Sequence, residues 1–184
     1  MLPESRRVAK LLVSAPTEAE WQHAIKFENI LQKNSPATAR RQARLIRNRL
    51  ETLDAEAWKV IAHGEGEIST QLLFAAAIQH SRLLADFLRD VYAQRVRKLE
   101  KTLNVHDWEA FVVECGHRDE QITKWTPTTM HKLYQVIVRI LAEARYLDST
   151  RKLGLTPPIL HPKVRSQLKR MGATAALSCM EVMA

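Results

Sequence analysis

An all-α fold is predicted by three observations on this 184-residue chain. Apolar residues recur at helical spacing almost throughout. Alternating β-branched runs bounded by turn residues are nearly absent. Ser, Thr, Asp or Asn stands ahead of several apolar-periodic stretches, at Ser35 and Thr126 with proline immediately after, where its missing N–H costs nothing. The length suits one large domain or two small lobes, each with its own apolar cluster. A hydrophobic fraction of 46% with 26% charged residues is ordinary for a globular protein, and only 5 Gly and 7 Pro argue against low complexity.

Taken in order, Pro3 with Val8, Leu11 and Leu12 predicts a first helix ending before Pro16. Thr17 opens a second, Glu20 completes a capping box, and Trp21, Ala24, Ile25 and Glu28 carry it toward Leu31. Residues 34–53, NSPATARRQARLIRNRLETL, read as one amphipathic helix with Ser35 as N-cap and Pro36 first in the helix. Asp54 caps the next, with Trp58, Ile61 and Ala62 facing inward and Gly64 ending it. From Ser69 a long helical pattern runs to residue 103 with a break expected near 79–82, its alanine-rich half central to an N-terminal bundle. Asn104 is both a stop and a cap, so an N-terminal lobe of residues 1–103 and a C-terminal lobe of 104–184 are expected. Thr126 and Pro127 then start a strongly amphipathic helix to about Arg145, along which Met130, Leu133, Tyr134, Ile137, Ile140, Leu141 and Ala144 mark the core face. The segment DSTRKLGLTPPILHP is loop-like and could pair two short extended pieces as a β-hairpin, before Pro162 opens a helix ended by Gly172. The tail, 173–184, reads as helical or frayed.

The functional clue lies in residues 34–53. Ala39, Ala43, Ile46, Leu50 and Leu53 form one stripe, and Arg40, Arg44 and Arg47 form another roughly a quarter-turn away. Arg41 and Arg49 add to the same helix. A guanidinium is planar, permanently charged and matches phosphate oxygens bidentately, which an ammonium cannot do. A bland reading as a solvated helix face stands beside this one. The net charge of +8 and pI near 9.8 suit a polyanion, either nucleic acid or an anionic membrane surface. By segment the charge is +3 over 1–66, +2 over 67–104, −1 over 105–147 and +4 over 148–184. The last zone holds Arg151, Lys152, Lys163, Arg165, Lys169 and Arg170, which complete the candidate nucleic-acid contacts.

Other chemistry is poorly supplied. GEG at 64–66 is too sparse for a phosphate-cradling glycine loop. Zinc needs paired Cys or His, and Cys115 with His117 is the one near pair. Asp86, Asp90, Asp107 and Glu109 lie beside basic neighbours without a catalytic signature. No apolar run approaches the roughly 20 residues that span a bilayer, and the N-terminus lacks a signal-like apolar region. Cys115 and Cys179, far apart and unpatterned, fit a reducing compartment. The expectation is therefore a cytoplasmic protein with no catalytic residues, metal, cofactor, membrane partner or small-molecule substrate.

Several blocks in order resemble the BrxA family of BREX phage-defence proteins: LPESRRVAKLL, ENILQKNSPATARRQARLIRNRLETL, AAIQHSRLLADFLRDVY, Trp108 with FV at 111–112, and KWTPTTMHKLYQVIVRILAEARYL. The resemblance covers most of the chain and is most specific over 29–53. It implies an all-helical, two-lobed protein whose N-terminal lobe is similar to the NusB antitermination fold. It also implies binding to double-stranded DNA, and a defence locus with a DNA methyltransferase, an alkaline-phosphatase-like protein and ATPases as companions. No catalytic residues carry over. Three readings are thus open: a weakly sequence-specific DNA-binding component, since the basic helix comes without an evident helix-turn-helix reader; a helical adaptor docking other defence proteins; and a NusB-like RNA-binding protein.

Overall fold

A computed structural model describes residues 2–181, and among these the fold is all-α. The chain forms two compact units, Met1–His80 with Leu160–Leu177 (unit 1) and Ser81–Ile159 with Ser178–Ala184 (unit 2). These boundaries differ from a single division at Asn104. The helix break comes earlier, at Ser81, and the chain returns to unit 1 after Ile159.

Unit 1 is built around α5 (Gly66–His80), whose buried residues include Ile68, Leu72, Phe74 and Ala75–Ala77. A helix apolar on all sides belongs in the centre of a bundle. It is covered by α1 (Leu2–Val13), α3 (Pro36–Leu50), α4 (Ala55–His63) and α11 (Pro162–Arg170). Gln71, buried on α5, accepts a hydrogen bond from the His161 N–H at 2.9 Å, which fastens the start of α11. Val164 and Leu168 of α11 are fully buried.

The short helix α2 (Glu18–Lys26) begins with the expected capping box between Thr17 and Glu20. It stops sooner than expected, because the Asn29 carboxamide bonds both Lys33 N–H (3.0 Å) and Lys33 C=O (2.9 Å), offering the backbone an alternative to helix. Asn29 and Gln32 take positive φ there, and Leu31 is buried from a loop. Asp54 caps α4 through Ala57 N–H. Trp58 is half-buried, and its indole N–H donates to the Leu50 carbonyl at 2.7 Å, a second bond on an acceptor at the end of α3 that also takes Leu53 N–H at 2.9 Å. Helix α5 starts at Gly66, three residues before the expected Ser69.

Unit 2 opens at α6 (Arg82–Phe87), capped by Ser81, and continues through a π-helical turn (Leu88–Tyr92) into α7 (Ala93–Arg97). Helix α8 (Val105–Arg118) begins at an Asn104–Asp107 capping box. A single turn, α9 (Glu120–Thr123), precedes α10 (Pro127–Glu143), which is capped by Thr126 as expected. Phe87, Trp108, Phe111 and Tyr134 form the aromatic part of the core, with Phe87 edge-on to Phe111 at 5.3 Å and Trp108 5.8 Å from Tyr134. Of the α10 stripe, Ile137, Leu141 and Ala144 are buried, together with Val138, whereas Met130, Leu133, Tyr134 and Ile140 are half-buried. Arg145, in a left-handed conformation, lies just beyond the helix.

The pairing of extended pieces is present as isolated antiparallel bridges, Leu147 with Leu155 and Thr102 with Gly154, and not as strands. The Tyr92 hydroxyl donates to the Tyr146 carbonyl at 2.7 Å, and burial pushes both phenols upward in pKa. Helix α12 (Thr174–Met180) covers the helical reading of the tail, while residues 182–184 lie outside the described residues.

Candidate nucleic-acid interface

Helix α3 carries the densest run of arginines. Ser35 takes the extended N-cap conformation without a side-chain cap bond, and Pro36 fills the first helical position. Ala39, Ala43, Ile46 and Leu50 are buried, as the apolar stripe requires, and Leu53 is buried beyond the helix end. That registration turns Arg40, Arg41 and Arg44 into solvent. Among the described residues these three make no ion pair or side-chain hydrogen bond, so three permanent charges stand together on two turns with nothing to neutralise them.

Arg47 is different. It bonds Glu51 at 2.8 Å and Glu18 at 3.4 Å, and its guanidinium lies 4.7 Å from the Trp21 ring centroid. These carboxylates raise its pKa, and the Gln22 and Arg47 contacts together lower that of Glu18. Its charge is matched inside the protein, and its main work is to hold α2 against α3. Arg40, Arg44 and Arg47 line one side of a groove of about 420 Å³ between those helices, with Glu18 and Glu51 at its edges. Arg49 is half-buried.

The second basic zone is divided. Lys163, Arg165, Lys169 and Arg170 lie on α11, in the same unit as α3. All four are exposed, but Arg170 pairs with Asp54 at 2.8 Å. Gln167 adds a 2.9 Å bond to the same carboxylate. Asp54 stands four residues past the end of α3, so the C-terminal turn of α11 is tied beside that end. Arg151 and Lys152 belong to unit 2, at the tip of the 148–154 turn, and are exposed without an ion pair among the described residues.

Two further cations, Lys132 and Arg139, project from the exposed side of α10. Sequence reasoning used that helix only for its apolar stripe. Their seven-residue spacing, opposite that stripe, is the signal that marks them.

The acids singled out in the sequence are paired. Asp86 and Asp90 pair with Arg89, Asp107 with Arg95, and Glu109 with His106. Burial pushes both thiols, Cys115 and Cys179, upward in pKa, which makes them poor nucleophiles. Among the described residues no group of three or more His, Cys, Asp or Glu could hold a metal ion, and no helix is long and apolar enough to cross a membrane.

Comparison with known proteins gives a consistent result. The profile of the BrxA family matches residues 1–172. A BREX protein BrxA of Paramagnetospirillum magneticum is 38% identical over 98% of this chain and 91% of its own length. Another, from Escherichia coli O9:H4, is 37% identical over 98% of this chain and 85% of its own. The crystal structure of an uncharacterized protein from Magnetospirillum magneticum superposes with a TM-score of 0.90 at 35% identity, covering 98% of this chain and 93% of that one.

Proposed function

This chain belongs to the BrxA family, and from that premise we propose that it is a non-enzymatic, double-stranded-DNA-binding component of a bacterial BREX anti-phage system. It works in the cytoplasm beside other BREX proteins. The observation that supports DNA as the partner is the cluster of Arg40, Arg41 and Arg44, exposed and unpaired on one helix. An uncompensated row of guanidinium groups on a rigid helix is matched by a row of phosphates, and displacement of the condensed counterions supplies the free energy. Lys163 and Lys169, exposed on α11 of the same unit, extend the field.

Contacts of this kind position a protein on a duplex without reading bases, so the α3 face alone binds unrelated sequences about equally. Mobility-shift titrations of the full chain against several unrelated duplexes, each at several salt concentrations, test the proposal. Binding that weakens steeply with salt is expected. Absence of binding, or affinity insensitive to salt, refutes the phosphate-contact mechanism.

A further inference from the structure

The groove between α2 and α3, within unit 1, is polarised along its length. Arg40, Arg44 and Asn48 follow one another on α3 at four-residue spacing, so they project from one face with neighbouring Cβ atoms about 5–6 Å apart. At one end Arg40 and Arg44 are exposed and, among the described residues, make no ion pair or side-chain hydrogen bond. At the other end Arg47 is bracketed by Glu18 (3.4 Å) and Glu51 (2.8 Å), and Gln22 donates to Glu18 at 2.6 Å. Two carboxylates outweigh one guanidinium there, so an anion is drawn to the Arg40–Arg44 end and repelled from the Arg47 end. At 1.5 Å per residue the two ends lie about 10 Å apart along the helix.

The Arg47 end has a chemistry of its own. Its guanidinium lies 4.7 Å from the Trp21 ring centroid and is held by both carboxylates. Bases stack on guanidinium planes as they do on aromatic rings, and one fixed in advance loses little freedom in doing so. Asn48, exposed and without a hydrogen-bond partner among the described residues, adds an amide that both donates and accepts. Trp21, Ile25 and Ala43, all buried, make an apolar floor. The volume of about 420 Å³ falls among small-ligand pockets, which span roughly 300–1,000 Å³. A duplex lies across such a rim without entering it.

We propose that this groove binds one nucleoside monophosphate, with the phosphate on Arg40 and Arg44 and the base against Arg47 and Asn48. The same chemical unit is offered by a free nucleotide and by the 5′-phosphorylated end of a strand. Other anions fit less well. A polyphosphate or an acidic peptide laid along the groove meets Glu18 and Glu51, and inorganic phosphate leaves the Arg47 end unused. The site goes beyond the duplex contacts proposed above and does not depend on them, because those require only charge on the surface of α3.

Calorimetric titration of the full chain at constant ionic strength tests the site, with AMP, ribose 5-phosphate, inorganic phosphate and adenosine as probes. AMP should bind about 5- to 150-fold more tightly than ribose 5-phosphate, the range of one stacked base, and more tightly than adenosine or inorganic phosphate. Arg40→Ala and Arg44→Ala should each weaken AMP and ribose 5-phosphate alike, by about 10- to 150-fold, the range of one charge-assisted contact. Asn48→Ala should weaken AMP by about 2- to 12-fold, one neutral hydrogen bond, and leave ribose 5-phosphate unchanged. Arg41→Ala removes the same charge from the same helix outside the groove and should change AMP binding by about twofold or less, since exposed charges act on one another through a screened field. Circular dichroism verifies that each variant is folded.

Competition against bound AMP identifies the source. Displacement by a 5′-phosphorylated single strand, and not by its 5′-hydroxyl twin, assigns the strand end; displacement by neither assigns the free nucleotide. Equal displacement by the 5′-hydroxyl strand or by a glutamate-rich peptide overturns the proposal, as do AMP binding no tighter than that of inorganic phosphate and AMP binding that survives both arginine substitutions. Duplex binding without AMP binding overturns the groove assignment alone. AMP binding without duplex binding overturns the duplex reading alone.

Discussion

The α3 face can be removed without touching the core, which makes its contribution measurable in isolation. In the triple variant Arg40→Ala/Arg41→Ala/Arg44→Ala, each lost side chain is exposed and free of intramolecular partners, and the buried Ala39, Ala43, Ile46 and Leu50 stay intact. Alanine is the best helix former, so melting temperature and helical content should be preserved. Each guanidinium that meets a phosphate contributes about 0.9 to the slope of log K against log salt, so three account for about 2.7. Between 50 and 200 mM salt, a fourfold change, wild type should therefore lose about 40-fold more affinity than the variant. Arg47 is left in place because its charge is already matched by Glu18 and Glu51. Anisotropy titrations at four or more salt concentrations on one random duplex give both slopes. A folded triple variant with the wild-type slope would show that α3 does not face phosphate.

Other consequences are testable singly. Arg47→Ala, which removes two carboxylate contacts and the cover over Trp21, should lower urea stability by about 0.5–1.5 kcal/mol while changing the salt slope by less than one phosphate's worth. Tyr92→Phe leaves the Tyr146 carbonyl without its 2.7 Å donor and should cost about 1 kcal/mol in the same assay, the lower end of the range because Thr156 N–H still bonds that oxygen. Glu4 sits 2.9 Å from Lys33, which holds its carboxyl below the usual glutamate value of 4.5. Its contribution is complete above that value and fades as pH falls through the lower folded one, so the stability gap between wild type and Glu4→Gln should be widest near neutrality and shrink below pH 4.5.

Local signals carried most of the helix assignments. Thr17 with Glu20, Asp54, Asn104 and Thr126 all act as N-caps, because capping is decided within four residues and is visible in a short window. The α3 stripe was readable for the same reason. What escaped was non-local. The bridges from Thr102 to Gly154 and from Leu147 to Leu155 involve one or two residues each, too few to produce an alternating pattern, so residues 148–162 read as a loop-like stretch with a short hairpin as one option, and the third extended piece around Thr102 did not show. The four-residue α9 is likewise too short to show a period. The partnership of Arg47 with Glu18, across 29 positions, lay outside any local window, and so did that of Arg170 with Asp54 across 116.

Unit 1 is discontinuous in sequence, and protein synthesis gives that discontinuity a duration. Val164 and Leu168, fully buried in unit 1, are separated from His80 by the whole of Ser81–Ile159. At about 5–20 residues per second, a ribosome spends roughly 4–16 s making that span. Throughout the interval α5 lacks the cover of α11, including the His161 N–H that donates to Gln71 in the finished unit. The unit that leaves the ribosome first is therefore among the last to close, and its apolar centre is a chaperone's target until the α11 segment has been made.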